Sequence, residues 1–183
     1  MGKRFDAMSD SHKQLIAEQK LFFVATAPDE GRINLSPKGM DSFRVIDNNT
    51  VAWLNVTGSG NETAAHVAEN GRMTVMFCAF AGKPVILRLY GHAQVIHQRD
   101  SEWKHLFALF EPLAGARQIF VLNVELVQSS CGMAVPYFDY AGERELLKDW
   151  ATKKGESGIQ DYWRDRNQHS LDGRETGILV PVK

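Results

Sequence analysis

The sequence has few cysteines, almost no net charge and no long hydrophobic run, and each shortage excludes a class of protein. Two cysteines among 183 residues cannot form a disulfide scaffold. The 21 basic and 22 acidic residues leave a net charge of −1, which argues against a broad basic surface for nucleic acid or for an acidic membrane. No stretch approaches the roughly 20 apolar residues of a membrane span. We therefore expect neither a nucleic acid nor a membrane among the partners.

The composition otherwise matches one ordinary globular domain. Hydrophobic residues make up 44% and charged residues 23% of the chain, which leaves enough apolar material for a sizeable core. At about 150 residues per domain, the length predicts one domain with an appendage. Residues Met1–Asp10 are polar and lack the apolar core of a signal peptide, so we expect a cytoplasmic location.

Segments rich in β-forming residues alternate with turn signals, so we predict a mainly β fold with flanking helices. The predicted strands are Leu21–Ala27, Arg32–Lys38, Phe43–Ile46, Thr50–Asn55, Arg72–Phe80, Val85–Ile96 and Arg117–Gln128. Turn sequences such as Pro28–Gly31, Asp47–Asn49 and Ala81–Pro84 join consecutive strands as hairpins, which makes the sheet antiparallel. A series of hairpins favours a closed or half-open barrel, because closure hides the sheet edges.

Helical patterns interrupt and follow the strands. A first helix begins at Asp10 or Ser11 and runs to about Gln19, and the others are Glu62–Asn70, Asp100–Phe110, Glu143–Lys154 and Ser157–Arg166. After Pro136 the composition becomes strongly charged. We therefore divide the chain into a barrel domain over residues 1–136, with its N-terminal helix, and a helical appendage over residues 137–183 packed on that barrel.

Strand alternation places polar side chains together on two strands. Asn34, Ser36 and Lys38 share one face of their strand, and Arg88 shares a face with other polar residues of its own strand. One interpretation is a sheet face in contact with water. The alternative is an anion site that uses the lysine and the arginine.

The segment WLNVTGSGNETAAH leads from a strand through a glycine-rich turn into a helix. Free N–H groups and the positive end of the helix dipole make such a turn an anion site, and Thr57, Ser59, Asn61 and Thr63 add side-chain donors. A structural interpretation is equally specific, because Ser59 and Glu62 have the spacing of a capping box. Both can hold together, and phosphate is the natural ligand of the first.

Other chemistry finds little support. The glycine spacing around Gly58 and Gly60 is an incomplete dinucleotide fingerprint, and the hairpins around it exclude the parallel crossovers of a Rossmann unit. The six histidines include no close ligand pair, so we predict no metal site. Cys131 lies in a loop-like segment without a neighbouring base, which makes a reactive thiol a weak alternative. We name no catalytic residue.

These segments together resemble a known family. INLSPKG, VAWLN, TGSGNETAAH, NGRMTVMF and ILRLYGHAQV, with the tail NQHSLDGRETGIL, are similar to the pyridoxamine 5′-phosphate oxidase-like, FMN-binding split-barrel superfamily, in its branch of flavin-nucleotide-binding proteins. The resemblance implies a six-stranded antiparallel split barrel and a homodimer with FMN at the subunit interface. Combined with the strand faces and the helix start, it gives these cofactor-binding residues: Ser36, Lys38, Asn55, Thr57, Ser59, Asn61, Thr63 and Arg88.

The chain departs from the oxidase at one position that matters for phosphate binding. The oxidase has a Ser-Arg-Lys run at the helix start, whereas this chain has Asn61-Glu62-Thr63. We expect Glu62 to turn into the capping box, so that neutral donors hold the phosphate with help from Lys38 or Arg88. The expected function is a flavin-dependent oxidoreductase acting on an unidentified small molecule. The alternative is a non-catalytic module that binds a flavin, a nucleotide or haem as a carrier or sensor.

Overall fold

A computed structural model describes residues 2–179, and in it more residues lie in antiparallel strands than in helices. The strands are β1 (Lys3–Phe5), β2 (Phe22–Thr26), β3 (Asn34–Lys38), β4 (Phe43–Val45), β5 (Thr50–Val56), β6 (Arg72–Cys78), β7 (Val85–His97) and β8 (Ala116–Cys131). The helices are α1 (Asp10–Glu18), α2 (Glu62–Asn70), α3 (Trp103–Phe107) and α4 (Leu146–Arg166). The structure confirms the mainly β class and the three predicted hairpins.

The strands form one antiparallel sheet that curls into a half-barrel. Seven strands follow one another in the order β3-β2-β6-β7-β8-β5-β4, and β1 pairs with β8 outside this path. The arrangement is consistent with the predicted split barrel, but the predicted count of six strands is wrong. The additional short strand β1 pairs with the end of β8, where Phe5 lies opposite Val127.

The half-barrel buries apolar side chains on both of its faces. Along β5, Val51 and Trp53 point into the inner cluster with Phe22 and Phe77, while Ala52 and Leu54 belong to an outer cluster covered by the segment around α3. This explains why β5 and β8 read as nearly continuous apolar runs rather than as alternating ones. Because β5 and β8 are buried on both faces, they hold the loops at their ends in fixed positions.

The helices differ from prediction mainly at their ends. Ser9, rather than Asp10 or Ser11, caps α1 in a reciprocal pair with His12. The helix α3 is five residues long, much shorter than predicted. The two C-terminal helices follow each other as α4, which breaks at Gly155, where φ is 64°. A glycine suits this left-handed position because it has no Cβ.

A close approach of backbone explains one glycine in the centre of the sheet. A Cβ on Gly91 would lie 1.9 Å from the carbonyl oxygen of Asn123. The register between β7 and β8 shifts between Tyr90 and Gly91, which is a β-bulge. Such a bulge increases local twist and helps a long pair of strands to curl. None of the helices within residues 2–179 combines the length and apolar composition needed to cross a bilayer.

Candidate functional site

A narrow cleft lies where the start of α2 faces the ends of three strands. We call it the α2 cleft; its walls are formed by Asn34, Ser36, Lys38, Asn55, Gly60, Asn61, Glu62, Thr63, Ala64 and Arg117. Its free volume is about 20 Å³. A water needs about 10–15 Å³ by this measure, so only the end of a larger ligand would enter. The cleft combines two basic side chains with several neutral hydrogen-bonding groups.

Arg117, on β8, is the organising charge of the cleft. It is 4% exposed, and its guanidinium donates to the carbonyl oxygens of Gly58 at 3.1 Å and Gly60 at 2.8 Å, and to Oδ1 of Asn61 at 3.2 Å. These bonds hold the carbonyls of the α2 turn (residues 57–61) toward β8. Its buried Nε has no hydrogen-bond partner within the described chain.

Lys38 supplies the second positive charge. Its ammonium lies 5.2 Å from the ring centroid of Trp53. Burial, and then the nearby Arg117, lower the pKa of Lys38 to about 8, while Glu62 opposes the shift. Burial also lowers the pKa of Arg117 to about 10. Both side chains are therefore mainly charged at neutral pH, close to one another in a site of low dielectric.

Among residues 2–179, neither cation has a carboxylate within ion-pair distance. The ion pairs formed in this part of the chain involve other lysines, arginines and one histidine. The carboxylate of Glu62 lines the same cleft and acts on both cations without forming an ion pair with either. An anion in the cleft would stabilise these charges further. An oxyanion such as a phosphate has the charge and the acceptor oxygens that these donors require.

The helix start differs from the predicted capping box. Asn61 is the N-cap residue of α2, and its side chain makes no capping bond. The prediction that Ser59 caps the helix is wrong, because Asn61 takes the N-cap position and Ser59 lies exposed two residues earlier. The carboxylate of Glu62 does turn back, accepting the backbone N–H of Asn61 at 3.0 Å and that of Leu171 at 3.1 Å. These bonds turn the carboxylate toward backbone N–H groups, and the acid still lines the cleft.

The structure brings together five of the eight predicted cofactor residues: Ser36, Lys38, Asn55, Asn61 and Thr63. Thr57 lies behind the turn instead. It is fully buried, donating to the carbonyl oxygen of Gly115 at 2.7 Å and accepting from Nε1 of Trp163 at 2.8 Å. Thr57 and the exposed Ser59 do not line the cleft.

Arg88 is not among the residues that line this cleft. It donates to Oγ of Ser130 at 3.2 Å. Across the sheet, Arg88 pairs with Met76, Met76 with Phe23, and Phe23 with Pro37, the residue before Lys38. Three strand spacings of about 4.8 Å put the Arg88 backbone roughly 14 Å from that end of the cleft. Its contact with a cofactor stays a prediction.

Sequence reasoning missed Arg117, although a signal for it was present. It is a charged residue near the start of an otherwise apolar strand, RQIFVLNV. Burial of charge in such a strand requires a partner or a function. The partner carbonyls lie 57 and 59 residues earlier in the chain, where local patterns do not reach.

The chain after α4 returns across the outside of the α2 turn and holds it in place. Nδ2 of Asn167 donates to the carbonyl oxygen of Gly58 at 3.0 Å. Nδ2 of Asn61 donates to the carbonyls of Arg166 at 2.9 Å and His169 at 3.1 Å. The C-terminal segment therefore supports the turn that forms the cleft.

A second and larger cavity begins directly after Lys38. Its volume is about 630 Å³, within the usual range for small-molecule sites. Its lining includes the aromatic residues Phe22, Phe43, Phe77 and Tyr140, the basic residues Lys20, Arg44, Arg144 and Lys148, and the acidic residues Asp41, Glu143 and Glu145. Met40 and Asp41, on its wall, are consecutive non-glycine residues with positive φ, at 62° and 49°. Strained backbone of this kind is concentrated at ligand sites.

A comparison with known families gives the same answer as the predicted resemblance. The family model described as pyridoxamine 5′-phosphate oxidase matches residues 8–131. The chain belongs to this family. A family member, the pyridoxamine 5′-phosphate oxidase family protein ustO of Aspergillus flavus, is 36% identical over 189 residues, covering 92% of this chain and 75% of that relative.

Solved structures extend the likeness to the fold of more distant proteins. A variant of HupZ from group A Streptococcus has a TM-score of 0.53 at 21% identity, covering 67% of this chain and 98% of that one. HutZ, the heme storage protein of Vibrio cholerae, has a TM-score of 0.51 at 18% identity, covering 67% and 95%. At these identities the likeness shows the fold alone.

Proposed function

We propose that this protein binds FMN with its phosphate in the α2 cleft and acts as a flavin-dependent oxidoreductase. The observation that carries the proposal is the buried positive charge of Arg117 beside Lys38, with no carboxylate paired to either among the described residues. A phosphate monoester matches it in charge, acceptor number and size, because only the end of a ligand enters the cleft. Family membership favours the same ligand.

We assign to Lys38 and Arg117 the role that the Arg-Lys pair has in the oxidase. The oxidase places its cations at the helix start, whereas here they come from the ends of β3 and β8. Glu62 occupies the vacated position and is turned into the loop by its bonds to backbone N–H groups. The expectation that neutral donors hold the phosphate with help from Lys38 or Arg88 is therefore replaced by a proposal in which Lys38 and Arg117 hold it with neutral support.

Bound flavin supplies hydride and electron transfer, and the chain supplies binding and electrostatics. A positive side chain near the pyrimidine edge of the ring favours the reduced anion. Arg88 remains the predicted residue for this role, because Lys38 is assigned to the phosphate. The redox substrate would enter the 630 Å³ cavity, which begins one residue beyond Lys38.

We also propose a homodimer, supported by an apolar edge strand. β3 lies at one end of the sheet, and Ile33, just before it, and Leu35, within it, are 78% and 65% exposed. Exposed apolar edges are normally covered by a partner. Sedimentation of the wild-type protein and of Leu35→Glu tests this: the variant is expected to be monomeric, and a monomeric wild type would contradict the dimer. A cytoplasmic location remains a prediction from the sequence.

The alternative is a non-catalytic carrier or sensor of the same fold. HutZ, a heme storage protein, has a similar fold and favours this alternative. Neither the α2 cleft nor the larger cavity contains a histidine or cysteine among its described lining residues, and the side chains there of other types that ligate haem iron are Met40 and Tyr140 of the larger cavity. We therefore rank a flavin above haem as the ligand.

The visible spectrum of freshly purified protein, with mass spectrometry of whatever denaturation releases, tests the ligand. Released FMN is expected, and released haem would contradict the proposal. Titration of stripped protein with FMN and riboflavin then tests the phosphate contacts, since FMN should bind at least tenfold more tightly. Turnover of reduced pyridine nucleotide by the loaded protein separates an oxidoreductase from a carrier.

A further inference from the structure

A buried chain of hydrogen bonds runs from α2 through two strands to the α2 cleft. Nδ1 of His66 and Oγ1 of Thr26 are 3.0 Å apart. Nδ2 of Asn34 lies 3.1 Å from Oγ1 of Thr26 and 3.1 Å from Oγ1 of Thr63. These four residues are at most 9% exposed. Of these four residues, only Thr63 has so far been considered as a phosphate contact.

The chemistry of each group sets the direction of these bonds. An amide nitrogen only donates, so Thr26 and Thr63 each accept a hydrogen bond from Asn34. With Asn34 as the donor, the hydroxyl hydrogen of Thr26 is left for Nδ1 of His66, which accepts it in the tautomer that carries its hydrogen on Nε2. Burial lowers the pKa of His66, against smaller opposing effects of the Thr26 backbone and nearby acids, so the ring is neutral at physiological pH.

The same reasoning separates the two hydroxyls that line the cleft. Thr63 accepts from Asn34, which leaves its own hydrogen free for a ligand. Ser36 donates its hydrogen to Oδ1 of Asn34 at 2.8 Å and presents only lone pairs to the cleft. If Asn34 were turned over, Thr63 would donate to Oδ1 instead and lose its free hydrogen. The structure has the amide nitrogen of Asn34, and not its oxygen, 3.1 Å from both threonine hydroxyls.

We propose that Thr63 donates its hydroxyl hydrogen to the phosphate in the cleft, and that Asn34 and Thr26 are positioning residues that keep this hydrogen free. The proposal rests on the phosphate site of the proposed function and assigns the donor within it. It also predicts that Ser36 makes no donor contact with the phosphate, although it lines the same wall.

Titration of stripped protein with FMN, and with riboflavin as the phosphate-free reference, tests these roles. Thr63→Val is expected to weaken FMN about tenfold with riboflavin unchanged, because a hydrogen bond to a charged group contributes about 1.5–3 kcal/mol. Thr26→Val is expected to weaken FMN three- to fivefold, and Thr26→Ser to restore it. Thr74→Val, the same change on β6 outside the cleft, is the matched control and should leave the ratio of the two affinities unchanged.

The double variant Thr26→Val with Thr63→Val decides whether the two residues act in sequence. If Thr26 acts through Thr63, the double variant binds FMN no more weakly than Thr63→Val alone. Losses that multiply would overturn the positioning role, as would unchanged FMN binding by Thr63→Val. Should Thr26→Val fail to fold, Asn34→Ala gives the same cycle. Equal binding of FMN and riboflavin by the wild type would instead reject the phosphate site itself.

Discussion

The two cavities of this protein treat positive charge in opposite ways. In the α2 cleft, Arg117 and Lys38 are largely buried and have no carboxylate partner within the described part of the chain. In the larger cavity, Arg44 pairs with Asp41 at 3.0 Å and Lys148 pairs with Glu145 at 3.2 Å, near solvent. The number of basic residues therefore says little about anion binding. Burial without a direct ion pair is the feature that distinguishes the α2 cleft from the solvated rim of the larger cavity.

The largest effect is expected from Arg117→Met, which removes the buried charge and three hydrogen bonds. FMN affinity should fall at least 100-fold, about 2.7 kcal/mol, with a much smaller loss for riboflavin. Fluorescence quenching of each flavin measures this. The matched control is Lys148→Met in the larger cavity. If both variants lost FMN equally, the distinction between the cavities would fail.

A smaller effect, with a characteristic pH dependence, is expected from Lys38→Met. The pKa of Lys38 is about 8, so its charge is lost as the pH rises from 7 to 9, and FMN affinity should fall over that range. The variant should bind FMN about tenfold more weakly at pH 7 and show little further change up to pH 9. A pH profile that is the same for wild type and variant would remove Lys38 from the site.

The same pKa shift predicts the opposite trend for the stability of the ligand-free protein. The folded-state pKa of Lys38 lies below the value of 10.5 in the unfolded chain. Between these values the unfolded state binds more protons, so the free energy of unfolding should rise as the pH increases from 8 toward 10. Urea unfolding of wild type and Lys38→Met checks this, and only the difference between the two proteins reports on Lys38.

An intermediate effect is expected where the C-terminal segment supports the turn. Asn167→Ala removes the bond to the carbonyl of Gly58 and should lower the free energy of unfolding by about 1–3 kcal/mol. FMN affinity should fall only about threefold, because Arg117 still holds the same carbonyl. Thermal unfolding and flavin titration measure the two effects. An unchanged melting temperature would contradict the supporting role.

The smallest effect belongs to the exposed pair in the larger cavity. Lys148→Met should change the free energy of unfolding by less than about 0.5 kcal/mol, since ion pairs near solvent contribute little. FMN affinity should stay the same. A loss of FMN binding would mean that the flavin contacts the rim of the larger cavity. The proposed contrast between the two cavities would then be wrong.

Most strands and the family were predictable because both depend on local patterns. The hairpins are marked by short turn sequences, and the structure confirms them. The short strand β1 was missed because Lys3 and Arg4 carry no β pattern and pair only through the far end of β8. The count of six strands came from the family resemblance, not from the residues.

The candidate site was predictable where it follows the helix start and strand faces, and not where it depends on distant contacts. Lys38, Asn61 and Thr63 were found through such local features. Thr57 lies outside the cleft, because its hydroxyl bonds to Gly115 and Trp163, which lie 58 and 106 residues away in the sequence. The long separation between Arg117 and the turn explains why its role became visible only in three dimensions.

The break of α4 at Gly155 makes this point a natural place for insertion. A Cβ there would meet nothing within 4 Å, and the buried residues Ala151 and Ile159 lie on either side of it. Ala151 and Ile159 would therefore hold the two halves of α4 in place if residues were inserted at Gly155. A reporter peptide inserted at Gly155 should leave the affinity for the proposed flavin unchanged.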